Sequence, residues 1–234
     1  MNPITIIAVC GLFVLGLAYL FMRSRYLKCL NKALDQADYE KAQDLLHKSQ
    51  AKLLLTKYLI DLYQARVYYL AKNDKALIAH LREMMDQSYA KDDEEQYLSL
   101  YYHIFINQGN YEFALELLER IHQCENTKLI RYCDWTKAVL LEGNNNLIDE
   151  ITEALDNMDY YAFPLGTCAY LMGIQKKRME AFEEALLWFE AAKDVYQKRD
   201  IYRTNVLEEI EKLHEMGYES PKQPQRKKKR GARF

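Results

Sequence analysis

The chain has 234 residues, half of them hydrophobic, with only eight glycines and four prolines. Such a composition is typical of helices joined by short turns, and it favours an all-α fold. The five cysteines are scattered and contain no C-x-x-C pair, which excludes a disulfide framework and a zinc site. The net charge of −2 hides an asymmetry, because seven of the 32 basic residues follow Pro221 and all 34 acidic residues precede it.

The N-terminal stretch predicts a transmembrane helix over residues 1–22. Twenty residues from Pro3 to Met22 carry no charge, and about twenty apolar residues are what a helix needs to cross a bilayer. A cleaved secretory signal is the alternative, but such a signal has basic residues before the apolar run and a small-residue cleavage site after it. Here Arg23, Arg25 and Lys28 follow the run instead. Because cytoplasmic flanks are rich in Lys and Arg, we expect a retained single-pass anchor with its N-terminus outside and the remaining residues cytosolic.

A motif of thirty-odd residues recurs after the anchor. Each copy has a helix, a short polar turn and a second helix, whose first turn places an aromatic or polar residue three positions before a small or aliphatic one. The last residues of the five copies are spaced by 34, 38, 34 and 37 positions. The copies are Tyr39–Ala42, Asn73–Ala76, Tyr111–Ala114, Asn145–Ile148 and Phe182–Ala185. This period predicts stacked helix hairpins.

The copies resemble the tetratricopeptide repeat (TPR) family. The segment Gln108–Leu118 has the family's turn glycine at Gly109, its aromatic residue at Tyr111, its small residue at Ala114 and a large apolar residue at Leu118. The segment 181–190 is similar. The resemblance covers residues 23–192, and it implies a right-handed TPR-like α-solenoid of about five helix hairpins over residues 23–199.

The last part of the chain predicts a cap and a tail. Apolar residues recur at helical spacing between Ile201 and Met216, with many charges between them. A polar-faced helix over residues 200–217 would cover the end of the last repeat, as solenoids require. Residues 218–234 are expected to form a disordered basic tail.

Residue types that support catalysis or metal binding are not grouped in the sequence. The five histidines are spread over separate helical regions, and no H-E-x-x-H or glycine-rich phosphate loop occurs. The acidic run Asp92–Glu95 lacks the alternating spacing of a calcium loop and is typical of a helix start. We therefore expect a protein that is not an enzyme and that has no cofactor or metal.

Partner binding is implied by the TPR resemblance. In that family the first helix of each repeat lines a concave groove that holds peptide segments, and tyrosine suits such grooves because it offers a large area at small entropic cost. The residues predicted on that face are Tyr58, Asp61, Tyr69, His103, Asn107 and Lys137. The expected function is a membrane-tethered scaffold or adaptor that binds a protein or peptide at the cytosolic membrane surface.

The basic cluster in the tail leaves other functions open. Such a cluster attracts anionic lipid, and similar runs bind RNA through its phosphates. Its members are Arg226, Lys227, Lys228, Lys229 and Arg230. The alternatives are an import-receptor-like TPR protein on an organelle, which has the same anchor-plus-repeat layout, and a nucleic-acid or ribosome tether that acts through this tail.

Overall fold

The structure is a computed structural model that describes residues 3–198 and 200–219. The basic cluster at 226–230 therefore lies outside the described residues. Within them the chain forms helices and no strand, which confirms the predicted all-α class. It divides into two compact units, Met1–Tyr97 (unit 1) and Leu98–Phe234 (unit 2), which we describe separately.

Twelve helices occur in the described part of the chain. Unit 1 contains α1 (Pro3–Asp35), α2 (Tyr39–His47), α3 (Ser49–Leu54), α4 (Lys57–Leu70), α5 (Asp74–Met85) and the start of α6 (Lys91–Gln108). Unit 2 contains the rest of α6, followed by α7 (Tyr111–Ile121), α8 (Thr127–Leu140), α9 (Ile148–Asp156), α10 (Ala162–Arg178), α11 (Phe182–Val195) and α12 (Arg203–Glu215).

Helix α1 joins the apolar N-terminal stretch to the first packed helix without a break. It is one 33-residue helix, so it continues without interruption past Met22, where the predicted anchor ends. By length and composition it is the one described helix able to cross a membrane. The side chains from Cys10 to Met22 are exposed, whereas Leu30, Ala33 and Leu34 are buried against α2 and α4.

The hairpin turns combine a positive φ angle with a helix cap. Before α7, Gly109 has a φ of 78°, and the Asn110 side chain accepts a hydrogen bond from the Phe113 backbone N–H. The Asn110 N–H also bonds to the carbonyl of Phe105, five residues back. The same arrangement precedes α2 and α5, at Ala37–Asp38 and Lys72–Asn73. These bonds satisfy backbone groups that would otherwise lack partners at the helix ends.

Two of the five predicted repeat copies have the wrong register. Leu77 and Ile151 are fully buried at the position that Ala114 occupies in α7, whereas the predicted Ala76 and Ile148 are only partly buried. In the second copy the cause is that Asn73 caps α5 rather than beginning it. In the fourth, residues 144–146 lengthen the turn, so α9 begins at Ile148 itself.

Two glycines of α10 lie directly against aromatic rings of α11 and of the residue that follows it. A Cβ atom added to Gly173 would lie 2.5 Å from Cε1 of Phe189, and one added to Gly166 would lie 2.6 Å from Cε1 of Tyr196. Both aromatic rings are buried. The absence of a side chain at Gly166 and Gly173 therefore allows the rings of Tyr196 and Phe189 to pack directly on the backbone of α10.

Replacing Gly173 with alanine should destabilise unit 2, although alanine favours a helix. The added methyl group would displace the Phe189 ring, and overpacking of this kind costs about 1–3 kcal/mol. Chemical unfolding of the detergent-solubilised chain, followed by the fluorescence of Trp135 and Trp188, measures this cost. Leu187→Ala, on the exposed side of α11, is the control and should change the free energy of unfolding by less than about 0.5 kcal/mol. Equal stability of the Gly173→Ala variant and the wild type would contradict the close packing.

Candidate functional site

The groove residues predicted in unit 1 mostly contact other parts of the same unit. Tyr58 is buried, and its hydroxyl donates a hydrogen bond to Oε1 of Gln96 at 3.1 Å. The Asp61 carboxylate accepts a hydrogen bond from the Tyr89 hydroxyl at 2.7 Å. Tyr69 is half-buried. The segment between α5 and α6 thus covers part of the face that the sequence predicted for a partner.

The groove residues predicted in unit 2 are not equivalent to one another. His103 is fully buried, and its Nδ1 lies 3.0 Å from the Tyr202 hydroxyl. Asn107 is exposed and accepts a hydrogen bond from the side-chain amide of Asn205 at 3.0 Å. Lys137 is half-buried and forms a 3.0 Å ion pair with Glu142. The prediction that His103 faces a partner is wrong, because its ring lies in the core.

An aromatic cluster surrounds His103. The His103 ring stacks on Tyr132 of α8 at a centroid distance of 4.9 Å and meets Phe163 of α10 at 5.4 Å and Tyr202 at 5.6 Å. Tyr202 also stacks on Tyr170 of α10. The first helices of three successive hairpins, α6, α8 and α10, thus converge on the residue that precedes α12.

Helix α12 therefore does more than cap the last hairpin. It packs on α11, as a cap would, but Tyr202 and Asn205 also reach α6. These contacts join residues about one hundred positions apart, which the period of the helices could not reveal. The chain's own C-terminal segment occupies the face of α6, α8 and α10 that the TPR resemblance assigned to a partner.

Burial fixes the protonation state of His103. The ring is removed from water, which disfavours its charged form and lowers its pKa to about 3. Among the described residues its Nε2 atom has no hydrogen-bond partner. His103 is thus a neutral core residue that is closed off from solvent.

A cleft between α8 and α9 lies elsewhere on unit 2. It has a volume of about 410 Å³ and is lined on α8 at helical spacing, so that it follows the helix for nearly its whole length. The lining residues are Thr127, Ile130, Arg131, Asp134, Trp135, Ala138, Leu147 and Glu150. Seven residues join α8 to α9, whereas three join α4 to α5 and two join α6 to α7, and the last of the seven, Leu147, lines the cleft.

Arg131 is held in a fixed orientation at the cleft. Its guanidinium donates to the Asp159 carboxylate at 2.7 Å and lies 5.1 Å from the centre of the Trp135 ring and 5.8 Å from that of Tyr160. Lys128 forms a second ion pair with Asp159 at 2.7 Å. Lys128 and Arg131 together lower the pKa of the Asp159 carboxyl. Because Asp159 and the Trp135 ring hold its guanidinium, Arg131 presents a cation in a fixed orientation beside the apolar side chains of the cleft.

Two sequence signals could have indicated the cleft. Arg131 and Trp135 are four residues apart on one helix, a spacing at which side chains meet. The three asparagines at 144–146 mark an unusually long hairpin turn. Lys137, the residue of this helix that was predicted to face a partner, does not line the cleft.

Comparison of the chain with models of known families, with curated proteins and with solved structures finds no match. Within residues 3–198 and 200–219, no three His, Cys, Asp or Glu side chains come together as possible metal ligands. The cleft lining combines apolar side chains with one cation and two carboxylates.

The state of His103 predicts how unit 2 responds to acid. His103 has a pKa near 6.5 in the unfolded chain and a pKa of about 3 in the folded one. Between these values the unfolded chain binds a proton at this ring and the folded chain does not. Stability therefore falls by about 1.4 kcal/mol for each pH unit lost in this window. His103→Phe keeps an aromatic ring without an ionisable group, and it should remove that part of the pH dependence.

The measurement is chemical unfolding of both proteins at pH 7 and pH 5, followed by tryptophan fluorescence. His122→Phe, which changes an exposed histidine of the same unit, is the control. The same pH dependence in wild type and His103→Phe would show that the ring is already protonated or accessible in the folded state.

Proposed function

We propose that this protein is a membrane-tethered, non-enzymatic scaffold of TPR type that binds a short amphipathic helix of a protein partner in the α8–α9 cleft. The preoriented Arg131–Trp135 pair beside an apolar cleft is the observation that carries the proposal. The tether is α1, whose apolar residues are exposed along its N-terminal part.

The repeat character is supported by the positions at which the second helices begin. Helices α2, α5, α7, α9 and α11 begin at residues 39, 74, 111, 148 and 182, which are spaced by 35, 37, 37 and 34. Such a period is typical of helix-hairpin repeats. The proposed architecture is therefore a right-handed solenoid of five hairpins whose last helix also folds onto its inner face.

The shape of the cleft favours a helical ligand. Its lining on α8 extends from Thr127 to Ala138, which corresponds to roughly 16 Å at 1.5 Å per residue. Helices bind in such grooves through apolar residues at positions i, i+3, i+4 and i+7. The carboxylates of Asp134 and Glu150 at the rim favour basic residues beside those anchors.

The flanks of α1 suggest on which side of the membrane this binding occurs. Arg23, Arg25 and Lys28 directly follow the apolar run, and basic residues stay on the cytosolic side. We therefore propose that residues 23–234 lie in the cytosol, where a partner can be another membrane-bound protein or a soluble one.

Filling the cleft tests the proposal. Peptides selected from a random library on the detergent-solubilised chain should carry helically spaced apolar anchors, and Ala138→Arg should weaken their binding about tenfold or more, since its long side chain occupies the cleft. Titration of a labelled selected peptide measures the dissociation constant. The control is Leu207→Arg, which places the same side chain at an exposed position of α12, outside the cleft.

Two outcomes would contradict the proposed site. One is that both variants bind the selected peptides as well as the wild type does. The other is that Ala138→Arg and Leu207→Arg weaken binding equally. Unchanged circular dichroism of each variant ensures that the comparison concerns binding and not folding.

A further inference from the structure

Two tyrosines on one face of α1 fix the path of the segment that follows it. The Tyr26 hydroxyl donates a hydrogen bond to the carbonyl of Leu45, and the Tyr19 hydroxyl donates one to the carbonyl of Leu54 at 3.3 Å. Helices α2 and α3 therefore run back along α1 toward its apolar end. The chain then reverses over residues 53–56, which include the last two residues of α3, and returns through α4. We call this segment the 53–56 turn.

The 53–56 turn overlaps with the apolar run of α1. That run ends at Met22, three residues beyond Tyr19, so the turn reaches about 5 Å into it at 1.5 Å per residue. Residues 3–18 alone would span only about 24 Å, which is less than the roughly 30 Å of a bilayer's hydrocarbon core. A span that uses the whole apolar run must bring the 53–56 turn to the lipid boundary.

The side chains near the turn suit such a boundary. Leu53 is 74% exposed, whereas Leu54 and Leu55 are buried against α1. Lys48 and Lys52 on and before α3 are exposed, as is Arg25 on α1. No acidic residue occurs in residues 3–34 or 45–60, although acidic residues outnumber basic ones in the whole chain. Tyrosines such as Tyr19 are enriched at membrane–water interfaces.

We propose that α3 and the 53–56 turn form a second membrane contact, in which Leu53 enters the boundary between headgroups and acyl chains of an anionic phospholipid bilayer. In this contact the exposed Lys48, Lys52 and Arg25 bind the anionic headgroups, with their aliphatic stems along the apolar surface. The contact rests on the proposed tether and extends it, because it fixes the depth at which unit 1 sits. Among the described residues, α5, α7, α9 and α11 are each followed directly by α6, α8, α10 and α12, without a short helix inserted as α3 is between α2 and α4.

The depth of Leu53 can be measured with the full chain in lipid nanodiscs. Leu53→Trp adds a fluorophore whose emission, after subtraction of the wild-type signal of Trp135 and Trp188, should shift to the blue. It should also decrease when the nanodiscs contain lipids brominated on their acyl chains. Gln36→Trp is the matched control, because Gln36 follows the other end of α1, roughly 25 Å from Tyr19 along the helix. Its added emission should show neither change.

A third variant separates failure of this contact from failure of the tether. Phe13→Trp lies in the middle of the apolar run and should be quenched whenever α1 crosses the bilayer. Quenching of Phe13→Trp together with a Leu53→Trp signal like that of Gln36→Trp would overturn the second contact and leave the tether in place. Absence of quenching in Phe13→Trp would overturn the tether and, with it, the second contact.

The headgroup preference is tested by moving the bromine between lipids. In mixed nanodiscs of phosphatidylglycerol and phosphatidylcholine at equal amounts, Leu53→Trp should lose more emission when the anionic lipid carries the bromine. The added double change Lys48→Gln/Lys52→Gln should reduce this difference to the part that Arg25 contributes, while keeping the quenching itself. An equal loss with either brominated lipid before the lysines are changed would overturn the selection of anionic headgroups.

Discussion

The uninterrupted backbone hydrogen bonding of α1 is the constraint on which the rest of unit 1 depends. The apolar run and the packed segment that follows it belong to one continuous helix from Pro3 to Asp35. The hydroxyls of Tyr19 and Tyr26, about two helical turns apart on α1, bond to carbonyls of α3 and α2, and Leu30, Ala33 and Leu34 are buried beyond them. A flexible linker would allow a tethered domain to sample every orientation, whereas a continuous helix transmits the orientation of the span to the domain. The proposed depth of unit 1 in the membrane follows from this continuity.

In unit 2 the deciding interaction is the insertion of Tyr202 among the aromatic rings of α6, α8 and α10. Tyr202 contacts His103, Phe163 and Tyr170, so the face of these helices that was predicted to bind a partner is part of the core. The neutral His103 ring is part of the same core, since burial excludes its charged form. The proposed partner site is instead the cleft beside α8 and α9, which a turn of seven residues joins. The proposal thus rests on the hairpin with the longest turn rather than on the more regular ones.

Local features of this fold could be predicted from the sequence, and long-range ones could not. The apolar run, the helical class and the turn at Gly109 follow from composition and from residues whose backbone preference is strong. The register of the second copy was missed because Asn73 fits both a helix start and a cap, and only the burial of Leu77 distinguishes them. The role of His103 was missed because it depends on Tyr202, ninety-nine residues away. Periodicity shows which face of a helix is buried, but not which segment covers it.

We propose that α1 crosses a membrane and holds residues 23–234 on the cytosolic side. Protease treatment of sealed vesicles that enclose cytosol tests it most directly, combined with extraction of the same vesicles at alkaline pH. The account predicts that residues 23–234 stay intact until detergent is added and that the protein remains with the membrane after extraction. Cleavage of either unit in intact vesicles would contradict the orientation, and release of the protein by alkali would contradict the span.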